Sequence, residues 1–384
     1  MHNNVRYLPK QASAYPKLSM LMLQKNYHLE GIPRTLFQCM AVLTSLDLSH
    51  TQITELPSEI GMLSELQQLN LTFTPIKSLP VELGCLVKLK YLLLRTTYKL
   101  ETMPKGTISN LSLLRLLDLQ GSQYADWYEH ESLKGCKKSV GISIKTAAAL
   151  QRLSSLPHVY TWHLQLQEME DLAFSDQLFK SIAGSRNIRQ SLELLSISSS
   201  SRMDELSVVH CGEAHEEGLE CLKYLKLKDL QPSREVTWKG VKPEIMLPSL
   251  RELVIYNCNK LRNVTWVPQL PCLYIMDRSR CNDMEALISD AGASISFSLS
   301  LSRLRLDSLH KLNCISRQPV TFPYLESIEV INCRQPKKLP FGAEIYQNKL
   351  KEIRGWKGWW DMIEWEEVSI KDSLSSYFKD RIGE

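Results

Sequence analysis

The sequence predicts an α/β repeat solenoid, with a parallel sheet on its concave side and irregular or short-helical segments on its convex side. The motif LxxLxLxxTxIxxLP occurs three times, with small variations, over residues 43–57, 66–80 and 89–104. Its leucines recur with a period of 23 residues, as from Leu46 to Leu69. One copy cannot bury its leucines alone, so the copies must stack to form a continuous core.

This period and motif are typical of leucine-rich repeats, which build a horseshoe-shaped solenoid. The LxL segment is predicted to be a strand, with Leu46 and Leu48 pointing inward and Asp47 pointing outward. A threonine follows, as at Thr51, where its hydroxyl can satisfy buried backbone groups at the turn. Copies that depart further from the motif begin at Leu18, Leu114, Leu192, Leu222, Leu250, Leu273, Leu301, Leu325 and Leu350. The copy at Leu350 is expected to be the last repeat.

The pattern divides the chain into five segments. They are an N-terminal lead-in or cap (1–17), regular repeats (18–122), irregular repeats with a loop (123–218), C-terminal repeats (219–354), and a tryptophan-rich cap and tail (355–384). Within the irregular segment we expect strands at 140–144 and 164–169 and a short helix over 146–156. Serine and charged residues cluster over 198–218, which predicts an exposed loop.

One copy conflicts with the pattern. Met276 and Arg278 occupy its two inward positions, and an arginine there is costly unless it is paired. Either the assumed register is wrong at this point or the copy is irregular.

The cysteines do not predict a metal site or a disulfide framework. The chain has ten cysteines and no CxxC pair, and the spacing of His210, Cys211, His215 and Cys221 matches no zinc module. Cys258 and Cys333 occupy the turn position of their repeats. A buried, inert thiol is the favoured interpretation there, and a redox or metal role is the alternative.

Composition and motif searches exclude several other functions. The net charge of +4 is small for 384 residues and does not favour nucleic-acid binding. The start of the chain does not resemble a signal peptide, and its longest nearby apolar run, residues 18–23, is too short to span a bilayer. HExxH, GxSxG, EF-hand and GxxxxGK[ST] patterns are absent from the sequence. We therefore expect a cytoplasmic, non-enzymatic protein without a cofactor.

The outward strand positions of successive repeats predict a protein-binding face. For any one residue the alternative is a solvated side chain with no partner. Arg95 and Tyr256 belong to residue types that are enriched at binding hot spots. Phe73, beside a strand, either contacts a partner or covers a neighbouring repeat. The candidates are Asp47, Asn70, Thr72, Arg95, Asp118, Lys226, Lys228, Tyr256, Arg305, Glu329 and Arg354.

Four tryptophans lie beyond the last expected strand, namely Trp356, Trp359, Trp360 and Trp365. The final repeat has no following neighbour, so an apolar cap is expected to cover its open end. The alternative is an anchor for another domain or protein, because tryptophans dominate many interfaces.

The local sequence carries a more specific resemblance. The segments LDLSHTQITELPSEIGML, LRELVIYNCNKLRNV and GWKGWWDMIEWEE resemble parts of the repeats of plant intracellular disease-resistance receptors of the coiled-coil, nucleotide-binding class. Repeats of extracellular plant receptors, of the NxLxGxIP type with paired cysteine caps, do not occur here. The resemblance concerns the C-terminal repeat region only, since no phosphate-binding loop is present.

This resemblance implies a module that senses a pathogen effector or a host target and restrains a nucleotide-binding switch domain in the same or a separate chain. A stand-alone scaffold or adaptor is the main alternative, although residues 1–17 do not resemble an F-box helix. An enzyme is the remaining alternative.

Overall fold

The computed structural model places the described residues in two compact units. The first comprises Met1–Ile144 and Ala148–Gln165, and the second comprises Lys145–Ala147 and Leu166–Glu384. The chain therefore passes from one unit to the other inside the segment that the sequence predicts to be irregular. The described residues are 5–9, 15–122, 139–144, 150, 161–167, 174–198, 206–209, 218–231, 233–289, 297–317, 320–333, 339, 349–365 and 368–381.

The first unit is a stack of short parallel strands in the predicted register. The leucine at the centre of each strand pairs with that of the next, from Leu21 through Leu46, Leu69 and Leu92 to Leu117. This arrangement buries the central leucines from Leu46 onward and confirms the solenoid fold. The strands are β1 (Met20–Met22), β2 (Ser45–Asp47), β3 (Gln68–Asn70), β4 (Tyr91–Leu93), β5 (Leu116–Asp118) and β6 (Ser139–Ile144), and β7 (Thr161–Gln167) spans the boundary between the units.

Short helices follow the Leu-Pro or Ile-Pro pairs of the first unit, as the sequence predicts for the opposite side of the repeat. Helix α1 covers Arg34–Gln38, and 3-10 helices cover Ser58–Met62 and Val81–Cys85. Each begins directly after a proline, at Pro57 and Pro80 for the two 3-10 helices. Proline is compatible with a helix start because its fixed φ suits the entry and the missing N–H would have no partner there.

The threonine of each regular repeat closes the turn after the strand. The hydroxyls of Thr51, Thr74 and Thr97 each donate to the carbonyl oxygen three residues earlier, at 2.7 Å, and all three residues are fully buried. The residue before each threonine adopts a left-handed conformation, with φ of 56° at His50 and 57° at Phe73. The role of the threonines was predicted from the sequence, whereas the left-handed residues were not.

Replacing Thr74 with valine is expected to lower the free energy of unfolding by about 1 kcal/mol, since the carbonyl of Leu71 loses one of its two donors inside the stack. Thr72→Val is the matched control, because Thr72 lies half-buried on the strand surface, and its effect should stay within about 0.5 kcal/mol. Urea unfolding of both variants measures the difference. Equal midpoints for the two variants would contradict the assigned role.

The second unit contains a longer parallel sheet. Its strands are β8 (Leu192–Ser198), β10 (Tyr224–Lys228), β12 (Glu252–Tyr256), β13 (Ile275–Ser279), β16 (Arg303–Asp307), β19 (Ser327–Ile331), β20 (Glu352–Gly355) and β21 (Phe378–Asp380). Three two-stranded parallel ladders accompany it: β9 (Leu206–Val209) with β11 (Val236–Lys239), β14 (Ala286–Ile288) with β17 (Cys314–Ser316), and β15 (Phe297–Ser298) with β18 (Val320–Thr321). In most sheet strands inward residues are buried and outward ones half-buried, which is the alternation expected of a sheet with one buried face.

Short helices connect the strands of the second unit. The α-helices are α2 (Phe174–Gly184), α3 (Arg186–Arg189), α4 (Pro243–Met246), α5 (Lys357–Met362) and α6 (Val368–Ser375), and a 3-10 helix covers Val267–Gln269.

The irregular middle segment is partly as predicted. Strands β6 and β7 confirm the strands expected at 140–144 and 164–169, the second beginning three residues earlier than expected. The loop prediction for 198–218 is wrong at Leu206–Val209, which forms β9 with Leu206 and Val208 buried. The prediction failed because the serine and charge content of the whole stretch obscured the three apolar residues of this four-residue strand. Most of the helix expected over 146–156 lies outside the described residues.

The conflict at Arg278 is resolved in favour of the assumed register. Arg278 pairs in register with Ile255 on one side and Leu306 on the other, and its side chain is fully buried. The repeat is therefore regular in its backbone and irregular only in the residue that it places in the core.

The prediction that the chain's last strand lies at Leu350–Ile353 is wrong. Strand β21 follows it and pairs in parallel with β20, placing Phe378 beside Ile353. The indole of Trp360 stacks on Phe378 with ring centroids 4.6 Å apart, and Trp359 is 2% exposed. These tryptophans therefore form the core of a further repeat and do not lie beyond the last strand.

Candidate protein-binding surface

The candidate surface consists of the outward side chains of the strands, and each unit has its own strand face. The first strand face comprises the outward residues of β2 to β5, with the second residue after each strand. The second strand face comprises the outward residues of β10, β12, β13, β16, β19 and β20.

On the first strand face, side chains are held by hydrogen bonds along and across the repeats. Asp47 Oδ1 accepts from the backbone N–H of Ser49 at 2.9 Å, and Asn70 Oδ1 accepts from that of Thr72 at 3.0 Å. The Nδ2 group of Asn70 donates to Asp47 Oδ2 at 3.1 Å. Because these bonds also fix the backbone beyond each strand, Asp47, Asn70 and Thr72 form an ordered polar row.

Arg95 is the main cation of this face. Its Nε donates to Asp118 Oδ2 at 3.0 Å, and its Nη2 donates to Gln120 Oε1 at 2.8 Å. The side chain of Arg95 remains 48% exposed, whereas that of Asp118 is 12% exposed. Asp118 was predicted as a direct contact, but at this depth it orients Arg95 and offers a partner little surface of its own.

Phe73 packs on a neighbouring repeat. Its ring stacks on His50 with centroids 4.6 Å apart and an interplanar angle of 19°. Phe73 is still 46% exposed, so one face of the ring covers His50 while much of the side chain faces solvent. Of the two roles considered for Phe73, the structure bears out the covering one, and a contact with a partner stays a prediction.

Charges alternate along one row of the second strand face. Asp277, Arg305, Glu329 and Arg354 are paired in register across four neighbouring strands. Opposite charges therefore lie side by side at the spacing of the strands, which is about 4.8 Å. Three of these four residues were predicted as candidates.

Arg305 is the centre of this row. It lies 3.3 Å from Glu329 Oε2, 3.6 Å from Asp307 Oδ2 and 3.7 Å from Asp277 Oδ2. Burial raises the pKa of Asp277, and the charge of Arg305 opposes that shift. The three carboxylates hold the guanidinium in one position, which favours recognition through low conformational entropy.

The end of the row beside β21 gains further cations. Arg381 Nη1 lies 3.0 Å from Glu329 Oε1, and Lys379 Nζ lies 3.2 Å from Glu352 Oε2. Arg354 also pairs with Glu352, at 3.0 Å. The sequence prediction missed Lys379 and Arg381 because it ended the repeats before β21. It missed Asp277 because that residue lies in the copy that Arg278 made doubtful.

The other predicted cations lie on β10. Lys226 is in register with Ser196 and Val254, and Lys228 is in register with Tyr256. Arg280, which follows β13, lies over the ring of Tyr256 at 5.4 Å from its centroid. This end of the second face therefore combines an aromatic ring with basic side chains, both common at protein interfaces.

Of the four tryptophans, only Trp356 is well exposed, at 64% of its surface. Trp359 and Trp360 are buried, and Trp365 packs edge-on against Trp360 with centroids 4.9 Å apart. The ring of Trp356 lies directly over Gly358, where a β-carbon would come within 2.5 Å of it. If any of the four contacts a partner, the geometry favours Trp356.

The described part of the chain lacks a metal site and a membrane-spanning helix. It contains no group of three or more His, Cys, Asp or Glu side chains placed to hold a metal ion. None of its helices has the length and apolar character needed to cross a bilayer. His210, Cys211 and His215 lie outside the described residues.

The family of the chain follows from comparison with known proteins. Residues 2–338 match the family model described as a leucine-rich repeat region. The chain belongs to the leucine-rich-repeat family. Such repeats generally present protein-binding surfaces, and the fold points to recognition and not to catalysis.

The relatives that this chain is similar to are plant resistance proteins. Probable disease resistance protein At5g47260 of Arabidopsis thaliana is 26% identical over 94% of this chain and 36% of its own length. Probable disease resistance protein At1g61300 of the same plant is 30% identical over 93% of this chain and 44% of its own length. The chain thus spans less than half of the length of these relatives. The predicted resemblance to the repeat region of plant disease-resistance proteins is confirmed.

Among solved structures, a leucine-rich-repeat protein of Leptospira interrogans is 18% identical, with a TM-score of 0.37 over 88% of this chain and 72% of that one.

Proposed function

We propose that this chain is the recognition module of a plant disease-resistance protein, acting in the cytoplasm. It binds a pathogen effector or the host protein that an effector targets, and it restrains a nucleotide-binding switch domain. The observation that carries the proposal is the set of ordered, outward side chains that successive repeats hold in one register. The relatives' names and the repeat family support the biological setting.

The charge pattern favours a protein partner over a polyanion. On the second strand face Arg305 and Arg354 alternate with Asp277 and Glu329, so a nucleic-acid backbone would meet carboxylates at every second strand. A protein surface can match such an alternating row with its own charges of both signs. Neutral polar groups dominate the first face, with Arg95 as its main cation.

Binding can be tested with the part of At5g47260 that lies outside the match with this chain. We expect the purified chain to bind that protein segment in calorimetry. Arg95→Ala and Arg354→Ala should each weaken binding by at least about tenfold, as hot-spot arginines do. Circular dichroism of each variant establishes that it is folded.

Lys88→Ala is the matched control for Arg95→Ala. The two side chains are equally exposed, at 48%, but Lys88 precedes β4 and lies outside the strand face. Its replacement should change the affinity by less than about twofold. Equal losses in all variants would place the contact elsewhere. Absence of any binding would contradict the restraint mechanism and favour a stand-alone scaffold or adaptor.

A further inference from the structure

The buried Arg278 needs a counter-charge. Its side chain is fully buried, and none of its three nitrogens donates a hydrogen bond to an oxygen atom among the described residues. An isolated cation in an apolar core is very costly, and arginine does not lose its proton in proteins. A negatively charged group is therefore required beside it.

Two thiols lie next to this guanidinium. Cys258 and Cys281 occupy the same turn position in neighbouring repeats, two residues after the register pair Tyr256 and Ser279. Both cysteines are fully buried, and each sulfur lies near the carbonyl oxygen two residues earlier, at 3.5 Å from Tyr256 for Cys258 and at 3.6 Å from Ser279 for Cys281. Neighbouring strands lie about 4.8 Å apart. That spacing falls within the roughly 4.4–6.8 Å range of Cα–Cα distances that disulfides span.

The surroundings shift the pKa values of the two thiols in opposite directions. Cys258 and the charge of Arg278 lower the pKa of Cys281 to about 6, although burial opposes this shift. Cys281 and burial together raise the pKa of Cys258 well above its ordinary value. The guanidinium therefore favours the thiolate form of Cys281, whereas Cys258 favours its protonated form.

We propose that Cys258 and Cys281 are a redox-modifiable dithiol, activated by Arg278, which hydrogen peroxide converts into a disulfide between neighbouring repeats. The Cys281 thiolate attacks one peroxide oxygen, the O–O bond breaks, and a sulfenic acid and hydroxide form. The Cys258 sulfur then attacks the Cys281 sulfur, and the S–O bond breaks. The hydroxyl group leaves with the Cys258 proton as water, and the two electrons of the thiol pair have passed to the peroxide.

Burial of the two sulfurs restricts which oxidants can reach them, and it makes the loss of charge on oxidation costly for the core. With both sulfurs fully buried, a molecule little larger than water can reach them far more readily than another protein's disulfide. The disulfide is uncharged, so oxidation removes the only counter-charge identified for Arg278 among the described residues. Oxidation is thereby expected to loosen the pairing of β12 with β13.

Cys333 provides an internal comparison. It occupies the same turn position and is 4% exposed, but Val330 fills the place that corresponds to Arg278. The preceding turn position holds Leu309, so no second thiol lies in register. Burial raises the pKa of Cys333 to about 11. Cys333 therefore fits the inert thiol that the sequence predicts for both turn cysteines, whereas Cys258 differs because of its neighbours.

The test is peroxide oxidation of the reduced full chain at pH 7, followed by alkylation and peptide mass spectrometry. We expect a Cys258–Cys281 disulfide to form while Cys333 remains reduced. Arg278→Leu introduces leucine, the residue type that the neighbouring repeat has at the paired position, Leu306. This variant should react at least about tenfold more slowly, because it lacks the charge that favours the thiolate. Oxidation of Cys281 no faster than that of Cys333, or an unchanged rate in Arg278→Leu, would overturn the proposal.

A second variant separates the two chemical steps. Cys258→Ala lacks the resolving thiol, so the sulfenic acid at Cys281 should accumulate and be trapped by dimedone. Arg278 remains in this variant, so a chain in which dimedone labels Cys281 no more than Cys333 would contradict the activation of Cys281 by Arg278. This readout does not depend on the chain's stability, provided that circular dichroism shows the variant to be folded.

Discussion

Replacing Cys281 with alanine is expected to lower the free energy of unfolding by about 3–5 kcal/mol, because Arg278 would keep its charge in the core without a counter-ion. Denaturant unfolding followed by tryptophan fluorescence measures this loss. Adding Arg278→Leu to the same chain should restore most of it. Arg278→Leu alone should be neutral or stabilising, since apolar replacements of buried ion pairs often are.

Cys333→Ala is the matched control for that prediction. It removes a buried thiol from the same turn position, where Cys333 Sγ lies 3.2 Å from the carbonyl oxygen of Ile331. This change leaves no buried charge without a counter-ion. We expect a loss of roughly 1 kcal/mol there, from packing alone. Equal losses in the two alanine variants, with no rescue by Arg278→Leu, would mean that Cys281 does not neutralise Arg278.

The same pair predicts a pH dependence. The pKa of Cys281 falls from its ordinary 9.0 to about 6 on folding, so between these values the unfolded chain binds a proton that the folded chain does not. The stabilisation from Cys281 should therefore be complete above pH 9 and disappear as the pH falls through 6. The stability difference between the wild type and Cys281→Ala isolates this contribution from other titrating groups.

Trp360→Ala is the second change expected to have a large effect, lowering the free energy of unfolding by about 3–5 kcal/mol. The indole is 5% exposed and packs against Phe378 of β21 and against Trp359 and Trp365. Without it, β21 loses the apolar layer that holds it to β20. Faster hydrogen exchange at the amide of Ile353, which donates to the carbonyl of Tyr377, would report the loosening of this strand pair.

Trp356→Ala is the control for Trp360→Ala, since Trp356 is 64% exposed and packs only across Gly358 among the contacts described above. Its effect on stability should remain below about 1 kcal/mol. A large loss from Trp356→Ala, or none from Trp360→Ala, would contradict the assignment of Trp360 to the core. Reduced partner binding by a stable Trp356→Ala chain would identify Trp356 as a contact.

The regular repeats could be predicted from the sequence because one residue type decides each position. Leucines at inward positions and threonines at the turn follow from burial and from the need to satisfy a carbonyl oxygen, and both were found as expected. The left-handed residues at His50 and Phe73 were missed because neither is glycine, the residue that usually marks such a conformation. Tertiary packing of the repeat determines these conformations.

The candidate surface was less predictable than the fold. Alternation within a strand identifies which side chains point outward, but not how deeply a larger neighbour covers them. Asp118 illustrates this limit, because Arg95 lies across it. Strand β21 was missed because a tryptophan-rich segment and two short helices separate it from β20 and no LxxLxL pattern precedes it.

Hydrogen exchange of the chain, alone and bound to the unmatched part of At5g47260, tests most directly whether the strand faces are the binding surface. We predict slower exchange in the complex at the amides of Ser49 and Thr72, which already bond to the ordered side chains of the first face. Protection confined to the 3-10 helices Ser58–Met62 and Val81–Cys85, with no change at the strands, would contradict this account and place binding on the opposite side of the repeats.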